Sequence, residues 1–309
     1  CGKTGIEEAC ILGAVAGNAA GGMEVLSGVD DAGRAKADAL SAAGICTVEF
    51  LDSEIPLHFI LELAAGGHTG EVEGRHTHTN IVSIKKDGNV VFAKPESLAN
   101  MGYATDRSGL TLDAIKEFAD DIEIERIREL FERQIRFNMD IAYEGMSGNY
   151  GLGIGRVLRA CYADGVVTRM KAYAATASEA RMGGCDMPVI INSGSGNQGI
   201  ASSVPVIVYA RETAVPTEKL YRALAFSGLL TIYQKEFIGK LSAFCGAVSA
   251  SCAAGAAITY LAGGTMAQIK ETIDNTLANI PGIICDGAKI SCAAKIATSL
   301  DAAMMAHYL

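Results

Sequence analysis

The chain carries two hydrophobic patterns, which change near residue 100. In the first part, short runs rich in Val, Ile and Phe lie between clusters of turn residues, which is typical of β-strands. The pattern predicts helices at residues 5–27 and 30–43, strands at 46–51, 57–64, 80–86 and 89–93, and a hairpin turn at Lys86-Asp87-Gly88-Asn89.

From Thr111 onward the hydrophobic positions follow a helical period almost throughout. Helices are predicted at residues 112–143, 157–161, 171–181, 218–233, 241–261, 266–277 and 292–307. We therefore expect an α+β protein: a mixed α/β region over residues 1–100, followed by a mostly α-helical domain over residues 101–309.

Composition narrows the class of protein. Hydrophobic residues make up 50% of the chain and charged residues 20%, which indicates a globular fold. The net charge of -9 argues against nucleic acid as a partner. The longest apolar run, Phe244 to Met266, could span a bilayer by length, but it is built of small residues and lacks an aromatic belt. We expect it to form a buried helix and expect no membrane association.

The nine cysteines are an odd number spread over a long chain, unlike a secreted disulfide framework. This usage predicts a cytoplasmic location. The chain begins with Cys-Gly-Lys and not with methionine, and it has no signal segment, so we expect a fragment without its natural N-terminus.

Four of these cysteines lie close together in the sequence. Cys245 and Cys252 are seven residues apart in a predicted helix, which places both thiols on one face but about 10 Å apart. Cys285 and Cys292 have the same spacing, but an Asp-Gly turn between them would let their thiols converge. We expect these two to share a metal or cluster with Cys245, and Cys252 to be a bystander. Alternatively, all four pack as small apolar residues, and the spacing does not name a metal.

Residues 194–199, GSGNQG, match the dinucleotide-binding pattern G-x-G-x-x-G and follow an apolar run. Two features oppose that interpretation, because Pro205 falls early in the helix that should follow and no alternating βαβ pattern surrounds the loop. The loop would still offer backbone N–H groups to an anion, with side-chain donors from Ser193, Ser195, Asn197 and Gln198. A substrate carboxylate suits it as well as a phosphate does, and a plain connecting turn is the alternative.

Two further features are less specific. His76 and His78, two apart before a predicted strand, could bind a metal, although such pairs are more often hydrogen-bonded or exposed. Arg181 could bind a carboxylate, but a lone arginine is more often part of a structural ion pair.

Several stretches together resemble the L-cysteine desulfidase family, whose relatives include the iron–sulfur L-serine dehydratase alpha chain. The resemblance covers nearly all of the chain, and the combination of motifs is specific. It is carried by HTN at residues 78–80, SGNYGLGIG at 147–155, SEARMGG at 178–184, NSGSGNQGI at 192–200 followed by Pro205, LSAFC ending at Cys245, and ICDGAKISCAAK from Ile284.

This resemblance implies a [4Fe-4S] cluster held by three cysteines, and the matching positions are Cys245, Cys285 and Cys292. It implies an α,β-elimination that converts L-cysteine to pyruvate, ammonia and hydrogen sulfide, with the open iron assisting the leaving group. The positions that match the family's substrate ligands are His78, Asn80, Ser195 and Asn197.

The family's Cys-Thr-Glu-Pro motif, whose cysteine is thought to accept the α-proton, has no match here, so the catalytic base is unassigned. The family also continues beyond Leu309, so we expect a fragment at both ends or a divergent member of the family. L-serine dehydratase activity is the near alternative, and a nicotinamide-dependent oxidoreductase using residues 194–199 is the alternative from another class. The expected partner is a small amino acid, and a homo-oligomer is left open.

Overall fold

The computed structural model describes residues 3–55, 57–99, 106–239 and 242–309. Contacts divide the chain into two compact units: Cys1–Ala43 together with Leu110–Leu309, and Gly44–Gly109. The boundary predicted near residue 100 falls at residues 100–105, outside the described residues, and the division into residues 1–100 and 101–309 stays a prediction.

Helices dominate the chain, which confirms the α+β class together with the small sheet below. They are α1 (Ile6–Ala16), α2 (Asp31–Ala42), α3 (Glu96–Ala99), α4 (Leu112–Asp121), α5 (Ile124–Ser147), α6 (Ile154–Cys161), α7 (Val166–Met182), α8 (Gly196–Glu212), α9 (Thr217–Ile238), α10 (Gly246–Leu261), α11 (Met266–Asn279) and α12 (Cys292–Tyr308). A short 3₁₀-helix, Ala19–Glu24, follows α1. None of the helices within the described ranges combines the length and hydrophobicity that a bilayer crossing requires.

The sheet belongs to the unit Gly44–Gly109. Its strands are β1 (Phe59–Ala65), β2 (His68–Gly74), β3 (Ile81–Lys86) and β4 (Asn89–Ala93), and they pair as an antiparallel meander in chain order. The predicted hairpin turn is confirmed, since Asp87 and Gly88 both have positive φ, as a type I′ turn requires.

One predicted strand is absent, and one observed strand was not predicted. Residues 46–51 are not in a strand, although Val48 and Phe50 are typical strand residues. Conversely, β2 was not predicted, because its sequence HTGEVEG is mostly polar. It is a strand because β1 and β3 pair with it on both sides, a long-range effect that local propensity does not report.

Several helix predictions need correction. The predicted helix 5–27 is α1 followed by a separate 3₁₀-helix. The predicted helix 112–143 is two helices, α4 and α5, because Ile122 is extended between them. The predicted helix 241–261 begins at Gly246; Leu241 itself lies outside the described residues. Helix α8 was not predicted: it buries 14 of its 17 residues, so its apolar positions show no period, and it contains Pro205.

Small residues let the helices of the first unit approach closely. A Cβ added to Gly145 of α5 would lie 2.1 Å from the carbonyl oxygen of Thr176 in α7. One added to Gly199 of α8 would lie 2.0 Å from the carbonyl oxygen of Ile190. One added to Gly255 of α10 would lie 2.7 Å from the Cβ of Ala303 in α12. Backbone contacts of this kind fix the helix positions that build the site described below.

Replacing Gly145 with alanine should therefore lower the free energy of unfolding by about 1–3 kcal/mol, because the new methyl group collides with backbone that has no room to shift. The matched control is Gly228→Ala in α9, where the nearest atom would be 3.7 Å away. That change should be neutral or stabilising by about 0.4–1 kcal/mol. Urea unfolding of both variants checks this, and equal midpoints would contradict the close packing of α5 on α7.

Candidate functional site

Cys245 and Cys285 face each other diagonally across a short antiparallel bridge. Phe244 pairs with Ile284, and the backbone N–H groups of both cysteines donate across the bridge, each over 2.8 Å. Side chains alternate along extended backbone, so the two cysteines share one face. Phe244 and Ile284 point to the other face and are 51% and 73% exposed.

Cys292 is the first residue of α12 and is buried. The Asp-Gly turn predicted before it is present, with Gly287 at a φ of 93°. The Cys292 thiol lies 3.7 Å from the carbonyl oxygen of Gly287, so the turn folds the segment back over the start of α12. Cys285 is exposed at the opposite end of this segment.

The three thiols are electrostatically coupled. Burial raises the pKa of Cys245, and the Cys285 and Cys292 thiols raise it further. The backbone N–H groups of Ala247 and Val248, in the first turn of α10, act in the opposite direction and lower it. Helix N-termini stabilise thiolates, so the first turn of α10 offsets part of the effect of burial on the pKa of Cys245.

The earlier placement of Cys245 inside a helix with Cys252 is wrong. Cys245 is the N-cap of α10, whereas Cys252 lies within that helix and is fully buried. Burial raises the pKa of Cys252 to about 11, and the Gln234 amide group donates to its sulfur over 3.3 Å. Its role as a bystander stays a prediction.

The donor set can be tested against a metal centre. Among the described residues, no three His, Cys, Asp or Glu side chains converge closely enough to hold one metal ion. A single ion draws thiolates to about 2.3 Å from its centre. A four-iron cluster bridges thiolates that are farther apart, and three free thiols with helix N-termini behind two of them match its chemistry.

Positive groups surround these thiols. Lys235 of α9 is buried, and burial lowers its pKa while the Cys245 and Cys285 thiols raise it. Lys295 of α12 donates to the carbonyl oxygen of Ile284 over 3.1 Å. Its ion pair with Asp286 raises its pKa. The local charge therefore favours thiolates and anionic ligands over neutral ones.

The glycine-rich loop is a tight turn. Asn192 and Ser195 exchange backbone hydrogen bonds of 2.9 and 3.1 Å, and the central residues Ser193 and Gly194 both have positive φ. This is a two-residue type I′ turn. Because every strand pair in the described residues is antiparallel, the turn lacks the parallel sheet that a dinucleotide-binding loop requires.

The same turn starts α8 and positions two predicted substrate ligands. Ser195 is the N-cap, and its Oγ accepts a 3.4 Å hydrogen bond from the Gln198 backbone N–H. Asn197 is buried, and its Oδ1 accepts from Ser178 Oγ over 3.3 Å. Their predicted role in substrate binding stays a prediction.

The other two predicted substrate ligands, His78 and Asn80, belong to the unit Gly44–Gly109. His78 is exposed and lies in a turn; His76 and His78 both precede β3, as predicted, and metal binding by them stays a prediction. Asn80 is buried; its Nδ2 donates to the Arg75 carbonyl oxygen over 2.8 Å, and Lys94 donates to its Oδ1 over 2.6 Å. These bonds order the turn, and a substrate role for either residue stays a prediction.

Two buried polar residues near the turn of α8 were missed. Asn138 of α5 donates to Ser203 Oγ over 2.8 Å and accepts from the Ile190 backbone N–H over 2.8 Å. Glu179 of α7 accepts from the backbone N–H groups of Leu152, before α6, and of Ile154, its first residue. Asn138 lies seven residues after the buried Phe131, so its place on the apolar face was the signal that could have found it.

Arg181 is the remaining candidate from the sequence. It lies in the last turn of α7, against the first turn of α8, and it has no ion pair with an acidic residue in the described part of the chain. The ion pair expected as the alternative is therefore not found there, and Arg181 is electrostatically coupled instead to the Cys292 thiol.

The chain is similar in sequence to known proteins over nearly its whole length. Residues 20–309 match the family model of the serine dehydratase alpha chain. A UPF0597 protein of Lachnoclostridium phytofermentans is 48% identical over 98% of this chain and 72% of its own length. A UPF0597 protein of Treponema denticola is 44% identical over 100% of this chain and 73% of its own length.

No solved structure matches the chain. The family match covers all three cysteines, both predicted substrate residues of α8 and the two of the small unit. The chain therefore belongs to the serine dehydratase alpha chain family.

Proposed function

We propose that the chain is an iron–sulfur-dependent lyase that converts L-cysteine and water to pyruvate, ammonia and hydrogen sulfide. The observation that supports this most is the placement of the three thiols: Cys245 and Cys285 share one face of the bridge, and the Cys292 thiol is near enough to raise the pKa of Cys245. Family membership supports a lyase, and the thiols support the cofactor.

Cys245, Cys285 and Cys292 would hold a [4Fe-4S] cluster. When bound, the cluster would supply an iron without a protein ligand, which acts as a Lewis acid on the leaving group of the substrate. The first turn of α10 behind Cys245, and Lys235 and Lys295 beside the thiols, favour the thiolate forms that metal binding needs, whereas burial of Cys245 acts in the opposite direction.

The residues around the thiols would bind and orient the amino acid. Ser195 and Asn197, in the first turn of α8, supply polar groups, and the backbone N–H groups of that turn favour a carboxylate. From the motif resemblance alone, we also propose His78 and Asn80 as substrate ligands. A base removes the α-proton, the β-substituent departs, and the resulting aminoacrylate takes up water to give pyruvate and ammonia. No residue is assigned as the base.

L-serine is the second candidate substrate, since the reaction differs only in the departure of water in place of sulfide. The family to which the chain belongs favours serine by its description, whereas the motif resemblance favours cysteine. The free cysteines suit a reducing compartment, and we propose the cytoplasm.

The test is anaerobic reconstitution of the purified chain with iron and sulfide, removal of excess reagents, and addition of L-cysteine or L-serine. Pyruvate and sulfide are measured separately. We expect equal amounts of pyruvate and sulfide from L-cysteine. If only L-serine gives pyruvate, the substrate is L-serine and not L-cysteine. If a protein that shows cluster absorption gives no pyruvate from either amino acid, the lyase assignment is overturned.

A further inference from the structure

Arg181 has no acidic partner among the residues that the structure describes. Its guanidinium is partly buried in the last turn of α7, and its only hydrogen-bonding contact within the described ranges is a 4.0 Å approach to the sulfur of Met182. Burial lowers its pKa, and only the Cys292 thiol acts in the opposite direction. Removing a cation from water without pairing it costs free energy, so this position calls for a negatively charged partner.

The guanidinium also lies where another positive group already is. It packs against Gly196, the first residue of α8, so closely that an added Cβ would be 2.2 Å from Arg181 Nε. The N-terminus of a helix carries partial positive charge, and its first backbone N–H groups have no partner within the helix. Two positive groups side by side repel each other unless an anion lies between or beside them.

A second polar group at the same turn is also unsatisfied. Gln198 is 6% exposed, and its Oε1 has no hydrogen-bond partner in the described part of the chain. Its amide lies against Gly246, directly after Cys245, where an added Cβ would be 2.7 Å from Oε1. Unfilled hydrogen-bonding capacity therefore occurs on both sides of the first turn of α8, towards Arg181 and towards the thiols.

We propose that Arg181 binds the α-carboxylate of the amino-acid substrate, together with the first backbone N–H groups of α8. This assignment rests on the proposed lyase function. A guanidinium can bind a carboxylate through two parallel hydrogen bonds, which fixes the orientation of the substrate as well as its charge. The site should therefore select amino acids with a free carboxylate and reject their amides, whatever the leaving group.

Binding can be measured apart from turnover with L-alanine, which has the carboxylate and ammonium groups but no leaving group, and with L-alaninamide, which lacks the carboxylate. Isothermal titration calorimetry suits the chain, since it has no tryptophan for fluorescence. Arg181→Gln should weaken L-alanine binding about 10- to 100-fold, the range for a charged hydrogen bond. Arg181→Lys should fall between, and L-alaninamide should bind weakly to all three proteins.

Gly196→Ala tests the same geometry with the arginine in place, since the added methyl group would displace the guanidinium. It should weaken L-alanine binding, whereas Gly228→Ala, without a close contact, should not. Arg126→Gln, on the exposed surface of α5, is the charge control. Circular dichroism melting of each variant establishes that it is folded.

Unchanged L-alanine affinity in folded Arg181→Gln, or no carboxylate preference in the wild-type protein, would overturn the assignment even if sulfide release were normal. Loss of binding as expected, in a protein that forms neither cluster nor product, would leave the carboxylate site standing and remove the lyase proposal. The two proposals therefore fail separately.

Discussion

Replacing Cys285 with serine is expected to abolish both the visible absorption of the reconstituted protein and its release of sulfide from L-cysteine. Cys285 is the exposed member of the three thiols, so this substitution removes a ligand without opening a hole in the core. Cys245→Ser and Cys292→Ser should give the same loss, because a cluster with two protein ligands is weakly held. Iron content, absorption and sulfide are measured on the same samples.

The matched control is Cys161→Ser, which changes an exposed cysteine at the end of α6. It should retain full absorption and activity. Cys252→Ser, inside α10, should also retain the absorption if that cysteine is a bystander. Normal absorption in all three ligand variants would mean that these thiols are packing residues and that iron binds elsewhere.

Replacing Glu179 with alanine should lower the free energy of unfolding by about 3 kcal/mol or more. The buried Glu179 carboxylate accepts from the backbone N–H groups of Leu152 and Ile154, over 2.9 and 3.1 Å, and more weakly from that of Gly155, over 3.5 Å. Each donor left buried without an acceptor costs about 1–3 kcal/mol. Glu179→Gln keeps the size but loses the charge, so a smaller decrease is expected.

The loop that Glu179 holds also contacts the cysteine segment. A Cβ added to Gly151 would lie 2.9 Å from both Glu179 Oε1 and Ile290 Cγ2, and Ile290 lies two residues before Cys292. Glu179→Gln should therefore also reduce the iron bound on reconstitution. Glu129→Gln, at an exposed position of α5, is the control for both measurements. If the urea midpoint of Glu179→Ala is unchanged, the hydrogen bonds to Glu179 do not stabilise the loop before α6.

The sequence was most informative where the chain determines its own geometry. Asp87-Gly88 specifies a type I′ hairpin, and Asp286-Gly287 specifies the turn that brings Cys292 back, so both were predicted from local residue chemistry. The α+β class followed from periodicity in the same way. Strand β2 and helix α8 could not be predicted, because they owe their structure to partners on every side and not to their own pattern.

The site residues stay a prediction. The three cysteines were selected from spacing, but the reason given for Cys245 was wrong, since it precedes its helix and reaches the others through a bridge between segments 40 residues apart in the sequence. Arg181 was recognised only as a candidate, because the presence or absence of an acidic partner is a tertiary property. Glu179 was missed because its hydrogen-bond partners lie far away in the sequence, so nothing near it in the chain indicates its role.

The packing of α10 bears on how this chain can vary. Fourteen of its 16 residues are buried, and most of them are alanine, glycine or serine held against neighbouring backbone. Enlarging such a residue causes a collision, as at Gly255, whereas trimming alanine to glycine costs up to about 1 kcal/mol of helix stability. A saturation library should therefore show that few substitutions in α10 are tolerated. New substrate preferences would then have to arise from substitutions in the turns at its N-terminal end.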